Sequence, residues 1–279
     1  MTTGSRNRFR LSAHLGYLFG QLPLTDRFAA ASCAGFRAIE VSDPYSLSES
    51  EFRLACELNG LKVAQIALPN GVSGPAKKGF ASLLGREAQF DEALMRSIAY
   101  AKAVDCQRIH PMGGLSLSSK RSQQWDVYLS NLAKACSAAA KEGLCVIIEA
   151  ISDEGVRDYF MNSLQLACTA IEEVRAPNLK LAVDTYHAAA TGVHLPPFIA
   201  SNGANIGHVQ VADWPGRNEP GSGEIAFDAV FTALSASGYD GYVGLEYHPS
   251  SNGAGMFEWT GGFDHHLEPL RAMSGNAER

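Results

Sequence analysis

Four polar residues close four successive apolar stretches in the second half of the chain. Glu149 ends Leu144–Glu149, Asp184 ends Leu179–Asp184, Gln210 falls next to last in Ile206–Val211, and Glu246 ends Tyr242–Glu246. Each stretch is strand-sized and apolar or small up to that point, so each polar group sits where a strand leaves a dry interior. One acid after an apolar run reads most simply as a helix cap or an ion-pair partner. Four at matching positions on consecutive strands read as a set. Carboxylates converging in a low-dielectric mouth repel one another by on the order of several kcal/mol if uncompensated. A divalent cation is the simplest remedy. Two glutamates, an aspartate and a glutamine make an all-oxygen donor set, which suits Mg2+ or Mn2+ better than zinc.

Other polar residues gather around this set. His187 lies three residues past Asp184, on the turn after its strand, and is a candidate for touching substrate. His208 lies two residues before Gln210, on the same strand face but one layer deeper, because side chains alternate along a strand. A lone histidine of this kind is first a packing residue, and His208 is read that way. Arg217, in the polar loop after Val211, is either an ion-pair partner of the acids or a clamp for an anionic substrate group. Gly113-Gly114 and Gly221-Ser222-Gly223 do not make a phosphate-cradling pattern, and nothing marks an activated Ser or Cys nucleophile.

The elements that must carry these residues alternate along the chain. Strands are predicted at Phe9–His14, Phe36–Val41, Leu61–Leu68 and Gln107–Met112, followed by the four stretches above. Helices are predicted at Leu24–Ala34, from a Ser48/Glu51 capping box to Asn59-Gly60, and at Arg86–Val104, Trp125–Glu142, Leu164–Val174, within Pro196–Asn202, at Phe227–Ser237 and at Phe263–Met273. The long Val72–Gly85 connection is a candidate lid or substrate loop. Eight strand–helix units in 279 residues without a linker argue for a single α/β domain, a closed (β/α)8 TIM barrel. The barrel is placed at 9–273, with tails at 1–8 and 274–279.

Composition fits that architecture. A hydrophobic fraction of 46% with 19% charged residues is ordinary for a globular domain. The net charge of −6 disfavours nucleic acid or an anionic membrane as partner. No apolar run is long enough to span a membrane, and MTTGSRNRFR lacks a signal core. Six cysteines without a CxxC pair read as reduced thiols, which points to the cytoplasm.

The segment IGHVQVADWPGRNEPGSGEI, with AVDTYHA before it and GYDGYVGLEYHP after it, resembles the hydroxypyruvate isomerase family. That family belongs to the xylose-isomerase-like barrels and includes 2-oxo-tetronate isomerases. RFAAASCAGFRAIE, LLGREAQF and IEEVRAPNLKL extend the resemblance over nearly the whole chain. It implies Glu149 and Glu246 as the acid/base pair, and Glu149, Asp184, Gln210 and Glu246 around one divalent metal ion. It also implies His187 and Arg217 as substrate contacts. The implied reaction is isomerisation of a small hydroxy-keto acid, in which one glutamate takes a proton from one carbon and the other delivers one to its neighbour. The substrate wall departs from the family pattern: EYHP places His248 where a lysine is usual, and SAHLGYLF places His14 where an asparagine is usual. Both are expected to face substrate. Relatives imply a homodimer or homotetramer, and Met256–Phe263 is a stretch that could pack on a partner. The alternatives are a keto-sugar 3-epimerase, metal-assisted hydrolysis of the kind seen in related barrel endonucleases, and a non-catalytic binding protein.

Overall fold

Parallel strands cannot be joined by tight turns, so each apolar strand in this chain is followed by a crossover that returns over the outside. The computed structural model describes residues 8–251 and 253–270. Its strands are β1 (Arg10–His14), β2 (Ala38–Val41), β3 (Lys62–Ala67), β4 (Arg108–His110), β5 (Cys145–Glu149), β6 (Leu179–Asp184), β7 (Ile206–Val211) and β8 (Tyr242–Leu245). They pair in sequence order into a closed parallel barrel. β8 returns to β1 through Arg10↔Tyr242, Leu11↔Val243, Ser12↔Gly244 and Ala13↔Leu245. The helices outside are α1 (Leu24–Cys33), α2 (Glu49–Leu58), α3 (Glu87–Ala103), α4 (Arg121–Ala140), α5 (Leu164–Val174), α6 (Thr185–Ala190), α7 (Leu195–Asn202) and α8 (Phe227–Ser237).

Local chemistry sets the helix starts. Ser48 and Glu51 form the expected capping box on α2, an arrangement that contributes about 1 kcal/mol. Ser163 caps α5 by accepting the Leu166 amide at 3.2 Å. The main core lies between helix ring and barrel, where Phe28, Phe36, Phe52, Phe90, Phe227 and Phe231 are fully buried. Each such burial is worth roughly 1.5–3 kcal/mol.

The helix predicted in Pro196–Asn202 forms as α7 and is preceded by another, α6, that starts directly on Asp184. The helix predicted at Phe263–Met273 does not form within the described residues. Gly253–Phe263 is a 3-10 helix, and the backbone then turns so that Leu267 bridges Phe9 in parallel. The Phe9 amide donates to the His266 carbonyl at 2.7 Å and the Glu268 amide to the Phe9 carbonyl at 2.9 Å, which requires extended backbone there. The rest of that prediction, and the two tails other than Arg8, lie outside the described residues.

The aromatic stretch Met256–Phe263 packs on its own barrel. Trp259 donates to the Tyr247 hydroxyl at 3.0 Å, and Phe257 sits edge-on to Phe36 at 5.2 Å. Finally, the Val72–Gly85 connection holds a short 3-10 turn, Gly74–Lys78, and is hydrogen-bonded into place. All six cysteines are unpaired, Cys33 exposed and Cys56, Cys106 and Cys136 buried. No described helix is long and apolar enough to cross a membrane.

Candidate active site

The C-terminal ends of the strands surround a cavity of about 280 Å³, the end of the barrel where this fold builds active sites. Its volume suits a ligand of a few carbons. His14, Tyr17, His110, Glu149, His187, Gln210, Arg217 and Glu246 all line it. Asp184 stands just behind this wall. Its Oδ1 accepts the Tyr186 amide at 2.7 Å and the His187 amide at 3.4 Å, capping α6 while Oδ2 turns to Arg217.

The loop after β7 delivers Arg217, and Asp213 shapes that loop. Asp213 is fully buried. Its carboxylate accepts the amides of Gly221 and Gly223 at 2.8 Å on Oδ2, and those of Trp214 at 2.8 Å and Ile225 at 3.0 Å on Oδ1. Arg217 is thereby held with Nη2 at 3.1 Å from Asp184 Oδ2 and 2.7 Å from Glu246 Oε1. The rings of Tyr17 and Tyr186 face its guanidinium at 4.6 and 5.1 Å, where their π faces favour a cation. Of the two roles open to Arg217, the ion pair is the one observed.

The histidines are oriented by what their ring nitrogens accept. His187 Nδ1 takes the Ser152 amide at 3.3 Å and lies 2.9 Å from the Ser152 hydroxyl, so its proton belongs on Nε2. Nε2 faces Glu149 at 3.9 Å and Asp184 at 3.8 Å. His14 Nδ1 likewise accepts the Gly16 amide at 3.1 Å, and its Nε2 points to the Ser42 hydroxyl at 2.9 Å and Glu246 at 3.7 Å. Burial pushes His187 down to about 4, with Asp184 opposing and Arg217 assisting. Burial and then His208 push His110 down to about 4 as well. Both are neutral at neutral pH.

The two glutamates are pushed the other way. Burial first, then the charges of Glu246 and Asp184, raise Glu149 well above the usual carboxylate range. Burial also raises Glu246, against the pull of His14 and Arg217. Glu149 Oε1 is buried without a hydrogen-bond partner among the described residues, which is costly for a carboxylate oxygen. Glu149, Asp184 and His187 each bring one ligand atom within 4.8 Å of the others, as do His14, Glu40 and Glu246, so either group could hold a metal ion. Carboxylate oxygens suit a hard ion, and the orphaned Glu149 oxygen is the kind of atom such an ion would satisfy.

Beneath this layer lies a second polar set that the sequence reading did not identify. Glu40, from β2, is fully buried. It accepts from Ser12 Oγ at 2.6 Å, Gln210 Nε2 at 2.8 Å and Gln65 Nε2 at 3.3 Å, and His208 Nε2 lies 3.0 Å from its Oε1. Burial alone would raise Glu40, but His208 above all, then His14 and Ser12, bring it down to about 2. A Cβ at position 244 would overlap the Glu40 carboxylate, so β8 must carry glycine there. Gln210 also donates Nε2 to Glu246 Oε2. With Nε2 committed to two carboxylates, Oε1 is the atom of Gln210 left to act as a ligand.

Glu149, Asp184, Gln210, Glu246, His187, Arg217 and His14 therefore converge as the sequence reading expected, and His208 falls in the layer below. His248 does not reach the cavity wall. It is exposed and packs on the Tyr17 ring at 4.9 Å. The sequence reading missed Glu40, His110, Tyr17 and Lys78. His110 was detectable, since it ends β4 as Glu149 ends β5, and its Nδ1 lies 3.8 Å from Glu149 Oε2.

Residues 28–273 match the model of the xylose isomerase-like TIM barrel family, and the chain belongs to it. It is 36% identical over 251 residues to a 2-oxo-tetronate isomerase of Cupriavidus necator, covering 90% of this chain and 96% of the relative. It is 32% identical over 251 residues to a hydroxypyruvate isomerase of Escherichia coli, covering 90% and 97%. Among solved structures, one titled AP endonuclease, family 2, from Brucella melitensis superposes with a TM-score of 0.87 at 28% identity, covering 91% of this chain and 99% of that one.

Proposed function

We propose that the protein is a divalent-metal-dependent isomerase of small hydroxy-keto acids, moving a proton between adjacent carbons with Glu149 and Glu246. The observation that carries this reading is the pair itself. Two glutamates at the ends of β5 and β8 line one small cavity, and burial raises both above the usual carboxylate value. The names of the two relatives above support the substrate class, three- or four-carbon acids bearing a ketone beside a hydroxyl-bearing carbon.

A C–H next to a carbonyl is a feeble acid, and the negative charge that forms as it leaves must be stabilised. A bound Mg2+ or Mn2+, held by Glu149, Asp184, Gln210 and Glu246, would polarise the substrate oxygens and supply that stabilisation. One glutamate removes the proton from the hydroxyl-bearing carbon, and the other protonates the former carbonyl carbon. The hydroxyl proton passes from one oxygen to the other, so the sum is an isomerisation with no redox partner. His187, neutral with Nε2–H facing the site, donates a hydrogen bond to the reacting oxygens. Arg217 holds Asp184 and Glu246 in position. We take the enzyme to be cytoplasmic and a homodimer or homotetramer. A net charge of −6 disfavours a nucleic-acid substrate.

The test is turnover of hydroxypyruvate, 2-oxo-tetronates and keto-sugars in deuterated water by Mg2+- or Mn2+-loaded protein. Deuterium on the carbon adjacent to the one deprotonated is the expected result. Deuterium returned to the same carbon with inversion makes the protein an epimerase, and no exchange with any of them overturns the reading.

A further inference from the structure

A hydroxy-keto acid brings its own carboxylate into a cavity already crowded with acids, so some cation on the wall must meet it. Arg217 is committed, with Nη2 shared between Asp184 and Glu246. The imidazoles of His14, His110 and His187 face Glu246, Glu149 and Asp184. The remaining cation of the lining is Lys78. It is half-buried and has no ion pair among the described residues.

We propose that Lys78 anchors the substrate carboxylate and so sets the preference for an acid over an uncharged hydroxy-ketone. This rests on the isomerase reading given above. Position supports it. Lys78 comes from the connection after β3, and in the closed order of eight strands β3 lies across the mouth from β7, which carries Gln210. A substrate whose reacting oxygens lie against the β5–β8 acids thus extends its carboxylate toward the Lys78 side.

The backbone that presents Lys78 is fixed on both flanks. The Lys78 carbonyl accepts the Gly114 amide at 2.7 Å, and the Pro75 carbonyl accepts the Leu115 amide at 3.1 Å. The Gly71 amide donates to Ala76 at 2.8 Å, and the Ala81 amide to Met112 at 3.2 Å. Gly79 follows at φ +106°, where a Cβ would also overlap the Met112 carbonyl. Only glycine allows so close a crossing. The charge is delivered from a fixed frame, and only the flexible side chain remains to be ordered when the anion arrives.

An anchor that grips the unreacting carboxylate holds ground state and transition state alike, so its loss raises KM and leaves kcat nearly alone. The experiment compares wild type, Lys78→Met, Lys78→Arg and Lys77→Met, all metal-loaded. It measures KM and kcat for the acid substrate and, by calorimetry, Kd for D-glycerate, an unreactive acid of the same size. Lys77 is exposed, so its variant removes the same charge from the neighbouring position. Lys78→Met is expected to weaken glycerate and raise KM at least tenfold with kcat within about threefold, and Lys78→Arg to recover most of the loss. Glycerate binding equal to wild type in Lys78→Met, or an equal loss in Lys77→Met, overturns the anchor. If wild type isomerises no hydroxy-keto acid while Lys78→Met still loses glycerate, the isomerase reading fails and the anchor stands.

Discussion

Glu40 and Glu149 are both fully or nearly buried glutamates at the ends of apolar strands, and they behave in opposite ways. Around Glu40, hydrogen bonds from Ser12, Gln65 and Gln210 and the nearby His208 ring hold the charge and bring the group down to about 2. Around Glu149, one oxygen has no partner among the described residues, and further acids press on the other side, so the group is held well above its usual range. Equal burial thus yields a stabilised anion in one layer and a carboxyl group held well above its usual range in the next. Partner supply, not depth, separates scaffold from chemistry in this barrel.

The largest effect is expected at the two raised glutamates. Glu149→Gln and Glu246→Gln keep shape and lose the exchangeable proton, so kcat is expected to fall by about 10²–10⁴ in each. Near-normal turnover in both would break the contrast. On the scaffold side, Glu40→Ala strands His208 and three donors, and is expected to cost about 3–5 kcal/mol in denaturant unfolding. Glu40→Gln isolates its charge. A group at about 2 when folded and near 4.5 when unfolded adds stability that is complete above pH 4.5 and is lost as pH falls toward 2. Wild type should therefore lose its advantage over Glu40→Gln across that window, by up to about 1.4 kcal/mol per pH unit. Parallel curves would show that Glu40 is not held as an anion. The smallest effect on turnover belongs to the loop that delivers Arg217. Asp213→Ala leaves the four amides that shape this loop without their acceptor, so a fall in Tm together with a drop of about tenfold in kcat/KM is expected.

The barrel and its acid set were legible because strand, turn and helix signals are local, and four strand-end polar groups repeat one pattern. Glu40 also ends such a strand, but its meaning depends on Ser12, Gln65, His208 and Gln210, which arrive from three other strands. No local pattern records that Gln210 would give its amide to a carboxylate 170 positions earlier. Lys78 was hidden for a related reason. A Gly- and Lys-rich connection resembles a mobile lid until its carbonyls are seen to accept amides from the segment after β4. The C-terminal helix failed because the pairing of Phe9 with Leu267 is a long-range demand that overrides local helical spacing.

The hydrogen-bonded seam between the β3 and β4 connections also has a kinetic consequence. The backbone on that side of the mouth is hydrogen-bonded across both connections, so entry there is expected to require no loop to swing. Encounter with a small anion is then governed by diffusion and by the field at the opening, and should slow with added solvent viscosity without waiting on microsecond loop motion.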